Sequence, residues 1–428
     1  MPVSFFDKFP GRWTLLLLAG LMIFFSAIPL VNGIISDGSN YDYTLWQKTG
    51  NLLLDGGEIY PRDGKKFPFM YPPPAATMLA PISRLPEVLF VFLLVSLNTL
   101  AWAASIMLSV YLVTGSFLSE HSSLYFWPSI AVIPLVHNTY ALGQPAIVLL
   151  ALLLGCFALI RNGRPFAGGV LLAIAVAIKA YPLIAAGYFF YQRKWKALAG
   201  LVVGLLALFF LLPLMFRTPA QVRDDTVVWA QGMLFRFDSD TIAQRPKRAY
   251  SFKNQSLQAT VHRLFRSVPA DGESKDNWTV NVVDLGFRGA NILMLVAVAG
   301  LVLFYAVTAW RAPPRGTAAS LDEGMVSLIV VFLAPLSFQY SYVWLIFPLT
   351  ALLYLALSSP LGSRLRSAAW WGIGGCVGLL ALSIPAAKLS NAYANVFLAG
   401  LVVYVVIGLI LRSGWLKSAT PGSAAVRP

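Results

Sequence analysis

At 428 residues, 58% of them hydrophobic and only 12% charged, the chain is no ordinary water-soluble domain, in which about 25% of residues carry charge. The net charge of +14 sits mostly at the ends of apolar runs and in one long loop, without a nucleic-acid motif. It reads as topology signal and affinity for anionic lipid, not as nucleic-acid binding. The two cysteines, Cys156 and Cys376, both lie in apolar runs, and there are three histidines; this argues against a disulfide framework and against a His-built zinc site. No metal site and no cofactor is expected.

The first apolar run, 13–35, follows Lys8 and Arg12; its length and the poor cleavage site at Ser26-Ala27-Ile28-Pro29 favour an uncleaved helix. A hydrophilic loop, 36–85, comes next. Within it Leu45, Thr49, Leu52 and Leu53 recur at helical spacing, so an interfacial amphipathic helix begins near Asp42, whose carboxylate suits the helix dipole. By composition alone Asp42 reads first as an N-cap, and Asp37, Asp55, Glu58 and Asp63 are rival carboxylates in the same loop. The segment from Phe67 through Tyr71 to Pro74, with Pro81 and Pro86 beyond, reads as a rigid turn re-entering the membrane.

Apolar runs near 86–114, 124–138 and 143–161 follow, and then an informative stretch, 165–192. It is bounded by Arg161/Arg164 and Arg193/Lys194/Lys196, both cytoplasmic by the positive-inside rule, so it crosses an even number of times. It is too short for two full spans, so two short helices, 165–178 and 181–192, are expected to meet at Lys179-Ala180-Tyr181-Pro182. A charged Lys179 there needs a wet cavity or a partner, and broken helices that line cavities mark functional sites.

A further run, 195–216, leads to a second outer loop, 217–286, which carries Arg236, Arg245, Lys247, Arg248, Lys253, Arg263 and Arg266. Runs near 287–310, 322–338, 340–358, 366–387 and 392–412 complete the set, interleaved with Arg311/Arg315, Arg364/Arg366 and Arg412/Lys417. The expectation is an all-α polytopic membrane protein: one integral membrane domain, 1–428, of about twelve transmembrane helices. Both termini fall in the cytoplasm, with a tail, 413–428, that is unstructured from 418. The two large loops and the Lys179 turn fall together on the outer side of the plasma membrane.

Asp42 is followed by Gly50, Leu52-Leu53, Gly57 and Tyr60, then Phe69-Met70-Tyr71-Pro72-Pro73 and Leu85-Pro86. Further on come Gly143-Gln144, Lys179-Ala180-Tyr181-Pro182, Asn254-Gln255-Ser256-Leu257 with Arg263-Leu264, and Pro335-Leu336-Ser337. This ordered set, from 37 to about 350, resembles glycosyltransferase family 87. That family includes bacterial polyprenol-phosphate-mannose-dependent mannosyltransferases of the multi-spanning GT-C fold. The resemblance implies transfer of a sugar from a polyprenyl-phosphate donor to a lipid or glycan acceptor, and it maps the family's catalytic aspartate onto Asp42. One departure is plain: where many members continue with aromatic-Asp-His, this chain has Phe338-Gln339-Tyr340-Ser341-Tyr342. The histidine that meets the carrier phosphate in some relatives is absent. Lys179, the basic outer loop, or Gln339 and Tyr340 are left to hold it, or the donor sugar differs.

The chemistry asks for little. A polyprenyl phosphate is a good leaving group, so what the reaction lacks is a base for the acceptor hydroxyl. One carboxylate supplies it, without the carboxylate pair of glycoside hydrolases, and direct displacement inverts the anomeric centre. Asp42 is the candidate base; Lys179, Arg263 and Lys253 are candidates for the departing phosphate. Asn254, Gln255, Gln144, Tyr71, Gln339, Tyr340 and His137 are candidates for sugar or acceptor. Each has a plainer alternative: snorkelling for Lys179, helix capping for Arg263, loop scaffolding for Asn254 and Gln255, a structural histidine at 137. A secondary transporter or lipid flippase is the competing class, although the chain shows no obvious internal repeat.

Overall fold

The computed structural model describes residues 11–35, 41–61, 67–243, 249–271, 278–309, 316–413 and 415–418. The expectations placed on Lys8, Asp37, Asp63, Arg245, Lys247, Arg248, Arg311, Arg315 and the tail beyond 418 lie outside them, as do those on the side chains of Arg12 and Lys417. Among the described residues all regular structure is helical, with isolated bridges only between Phe237 and Ile242 and between Asn254 and Phe338.

The helices are α1 (Gly11–Ile35), α2 (Tyr41–Leu54), α3 (Pro73–Ser83), α4 (Glu87–Thr114), α5 (Ser123–Ala131), α6 (Ile133–Leu142), α7 (Ala146–Arg161), α8 (Pro165–Ile178) and α9 (Ala185–Tyr191). They continue with α10 (Trp195–Leu206), α11 (Pro219–Met233), α12 (Leu257–Phe265), α13 (Gly286–Ala309), α14 (Gly316–Leu333), α15 (Ile346–Ser358), α16 (Arg364–Ala381), α17 (Ser383–Ala392) and α18 (Asn395–Ser413).

Every apolar segment expected from the sequence is helical, but they are not twelve uninterrupted spans. Among the described residues seven helices are long and apolar enough to cross a membrane: Trp13–Val31, Glu87–Thr114, Trp195–Met215, Gly286–Ala309, Gly316–Leu333, Gln339–Ser358 and Asn395–Ser413. The pairs α6–α7 and α16–α17, bent by 114° and 90°, make nine if each is one span. The breaks have local causes. Gly143 closes α6 at φ +68, a left-handed conformation that costs glycine nothing. Pro385 has no N–H to return to Ala381, where α16 ends. One expectation is corrected: Pro73 and Pro74 do not lie in a turn but open α3, because the first helical turn needs none of their missing N–H groups.

Burial sorts the helices. The spans in α14 and in Gln339–Ser358 are 78% and 83% buried inside the protein, whereas Trp13–Val31, Trp195–Met215 and Gly286–Ala309 are 22%, 22% and 17% buried; the first two form the centre and the others present apolar side chains outward, as lipid contact demands. Helix α8 lies tightly on α10: a Cβ on Gly169 would stand 1.9 Å from the Ala197 carbonyl oxygen. Trp344 donates from Nε1 to the Ala146 carbonyl at 2.9 Å, which pins the start of α7 to the helical turn Gln339–Leu345.

The far end of α7 holds a feature that the sequence reading missed. Arg161 grips buried Glu323 of α14 through two hydrogen bonds, 3.0 and 2.7 Å, and gives a third to the Leu112 carbonyl at 2.6 Å. The neighbouring Asp322 accepts from Tyr305 at 2.7 Å. A carboxylate pair inside an apolar helix was the available signal; its partner lies 162 residues away.

Candidate active site

The first turn of α2 is fixed by its own aromatic residues. Tyr43 donates to the Tyr140 carbonyl at 3.0 Å and Trp46 donates from Nε1 to the Gly143 carbonyl at 3.2 Å. Both grip the bend between α6 and α7, and a Cβ on Gly143 would stand 3.0 Å from the Tyr43 ring. Gln47 secures the other side by donating to the Ser83 and Leu85 carbonyls at 3.1 and 2.7 Å. Asp42, one residue into the helix, is thereby held against Gln144, which follows Gly143.

Tyr71 arrives from the segment ahead of α3. Its carbonyl accepts from Tyr60 at 2.6 Å, its ring lies 4.0 Å from that of Trp46, and the preceding carbonyl, of Met70, accepts from Trp229 at 3.2 Å. The Tyr71 hydroxyl lies 2.9 Å from Asp42 Oδ2 and 3.1 Å from Gln144 Oε1. Gln144 Nε2 also donates to Asp42 Oδ2 in a short hydrogen bond. Burial, and after it the charge of Asp42, hold the Tyr71 phenol well above its ordinary pKa, so it stays a donor.

Lys179 enters from the helix break. Helix α8 ends at Ile178, Lys179 is extended at φ −153 and ψ 130, and helical turns resume at Tyr181. The expected break is therefore found where the sequence placed it. Lys179 Nζ lies 3.4 Å from Gln144 Oε1 and 3.5 Å from the Tyr340 hydroxyl, and 5.1, 5.5 and 5.8 Å from the ring centres of Tyr340, Tyr71 and Tyr181. Such aromatic faces stabilise a cation. Asn138 donates to Gln339 Oε1 at 3.2 Å beside them. Tyr71, Gln144 and Tyr340 are 5%, 6% and 7% exposed, while Asp42 and Lys179 are half-buried. The carboxylate and the ammonium are thus partly exposed, as are Asn138 and Gln339 beside them.

The remaining sequence candidates stand elsewhere. Arg263 is completely buried and gives its guanidinium to the carbonyls of Ala392, Tyr250, Ser251, Asn254 and Asn391 at 2.7–3.3 Å. Asn254 donates to the Ala249 and Pro335 carbonyls, and Gln255 to those of Phe252 and Asn391. The three hold the second outer loop against the segment before Gln339 and the end of α17, so a phosphate or sugar would have to displace main-chain bonds to reach them. Lys253 is exposed, 6.0 Å from the Phe252 ring centre. His137 is exposed and lies 6.1 Å from the Phe25 ring of α1. We therefore expect Arg263→Met to destabilise the protein by about 3 kcal/mol or more, since several buried carbonyls lose their donor. Thermal unfolding checks this, and donor affinity of the folded fraction is expected to hold.

The outer loop also carries a pH-sensitive group. His262 of α12, fully buried, accepts from Arg266 at Nδ1 (3.0 Å) and donates from Nε2 to Asn291 (3.2 Å), which suits a neutral ring. Burial, then the charge of Arg266, lower its pKa to about 4. The folded protein thus binds fewer protons than the unfolded chain between about pH 4 and the ordinary histidine value of about 6.5. Stability is expected to fall as pH drops through that window. Unfolding midpoints at pH 7 and pH 5 test this, and His262→Gln is expected to reduce the difference.

A helical membrane protein with a carboxylate and a lysine gathered at its helix breaks is the class that the fold and site define. The chain belongs to glycosyltransferase family 87, whose model matches residues 69–335, more than half of its length. Tyr71, Gln144 and Lys179 fall inside the match, and the fold brings Asp42 to them from before it. A relative from Mycolicibacterium smegmatis named polyprenol-phosphate-mannose-dependent alpha-(1-2)-phosphatidylinositol pentamannoside mannosyltransferase is 25% identical over 398 residues, 90% of this chain and 82% of its own. A protein of the same name from Mycobacterium tuberculosis is 25% identical over 377 residues, 87% and 78%. No solved structure matches the chain. The family decides for a glycosyltransferase over the transporter reading.

Proposed function

We propose that this glycosyltransferase moves a mannosyl residue from a polyprenyl-phosphate carrier to a lipid-anchored glycan on the non-cytoplasmic side of the plasma membrane, with Asp42 as general base. The observation that carries the reading is the pairing of half-buried Asp42 and half-buried Lys179 across a single side-chain amide, that of Gln144. As the acceptor hydroxyl attacks the anomeric carbon, its proton passes to Asp42. The bond from that carbon to the phosphate oxygen breaks, the phosphate takes the electron pair, and the anomeric centre inverts. Lys179 stabilises the charge that builds on the phosphate, with the Tyr340 hydroxyl beside it; these two stand in for the missing histidine. Mannose is proposed from the relatives' names.

The orientation has support in helix direction. Helix α7 runs from the Gln144 end to Arg161, and α8 from Pro165 to the Lys179 break. Sixteen residues of α7 span about 24 Å. The site therefore lies at one end of both helices and the basic clusters at the other, which the positive-inside rule assigns to the cytoplasm. Purified protein incubated with radiolabelled polyprenyl-phosphate sugars and a membrane lipid extract tests the reading. A labelled glycolipid from the mannose donor is expected; substrate flux without any covalent product would overturn it.

A further inference from the structure

The Tyr71 hydroxyl has one proton and two acceptors, Asp42 Oδ2 at 2.9 Å and Gln144 Oε1 at 3.1 Å. Which of them it serves depends on Lys179. A lysine ammonium only donates, so its approach turns the oxygen of the Gln144 amide toward Lys179 and the Nε2 toward Asp42. In this arrangement Lys179 supplies Oε1, Tyr71 is released to serve Asp42, and Oδ2 takes two donors, from Tyr71 and Gln144. A carboxylate oxygen so engaged is a poor base, because hydrogen bonds to the charged form lower its proton affinity.

Resting on the transferase reading, we propose that Tyr71 is a positioning residue whose hydroxyl switches acceptor when phosphate reaches Lys179, and so releases Asp42 for catalysis only once donor is bound. The contact of Lys179 with Gln144 is long, 3.4 Å, and a phosphate oxygen offers the ammonium a shorter, charge-assisted partner. When Lys179 turns to it, Gln144 Oε1, in a side chain only 6% exposed, is left short of a donor, which is costly for a buried acceptor. Rotation of one hydroxyl hydrogen lets Tyr71 fill that role. Oδ2 then loses the Tyr71 donor and becomes the stronger base as the acceptor arrives. The coupling is reciprocal: a group that compensates Gln144 also tightens phosphate binding.

The probe is polyprenyl phosphate without sugar, which reports binding independently of transfer. Tyr71→Phe is expected to weaken its binding about tenfold, and in a Gln144→Met background, where no carbonyl awaits the hydroxyl, the same substitution is expected to cost nothing. A 3-fluorotyrosine placed at position 71 keeps the hydroxyl, and its fluorine resonance is expected to move on adding polyprenyl phosphate to the otherwise unaltered protein but not to Lys179→Met. Binding with an unmoved resonance, or an equal Tyr71→Phe penalty in both backgrounds, overturns the switch and leaves the transferase reading standing. Absence of polyprenyl phosphate binding to the unaltered protein overturns both.

Discussion

Replacing Asp42 by asparagine is expected to slow sugar transfer by about 10²–10⁴-fold, the usual contribution of a general base, while the protein still folds and inserts. Asparagine matches aspartate in size, and its amide oxygen still accepts from Tyr71 and from Gln144 Nε2. What disappears is proton affinity. The α2 anchors, Tyr43 on the Tyr140 carbonyl and Trp46 on the Gly143 carbonyl, do not involve the carboxylate, so the first turn of the helix stays in place. Turnover with radiolabelled donor, measured beside the elution profile in detergent, checks both halves. Near-normal turnover by a folded variant removes Asp42 as the base.

The second large effect is expected at Lys179. Lys179→Met keeps much of the side-chain length and apolar surface at the helix break but removes the charge facing the departing phosphate. Loss of one such stabilising group costs about 10²–10³-fold in kcat. KM for the donor is expected to rise and KM for the acceptor to hold, because the proposed contact of the lysine with substrate is to the donor's phosphate. Lys179→Arg restores the charge but not the point geometry of the ammonium, and a partial recovery is expected. Equal damage to both KM values would instead mark Lys179 as a structural group packed on Tyr71, Tyr181 and Tyr340.

The parts of the fold that follow from local chemistry were legible in the sequence. Apolar runs became helices, and the break between α8 and α9 fell at Lys179, since Pro182 has no N–H to return to the carbonyl of Ile178, where α8 ends. Asp42, Tyr71, Gln144, Lys179 and Tyr340 come from five separate segments, yet all were candidates, and the fold unites them. Polar groups in the second outer loop were not separable in this way. Asn254, Gln255 and Arg263 form a dense polar motif, and sequence does not distinguish side chains that serve main-chain carbonyls from side chains that line a cavity. Only the folded chain shows the Ala392 and Asn391 carbonyls waiting for the Arg263 guanidinium. The same limit hid the pairing of Arg161 with Glu323, and propensity alone hid α3, whose prolines look like breakers until they stand in a first helical turn.

The most direct measurement is an experimental structure of the protein with a non-transferable polyprenyl-phosphate-mannose analogue. A phosphate oxygen is expected within hydrogen-bonding distance of Lys179 Nζ, and the anomeric carbon on the Asp42 side of the Gln144 amide. A phosphate seated instead against Lys253 or elsewhere on the second outer loop, with Asp42 remote from the sugar, contradicts the proposed mechanism.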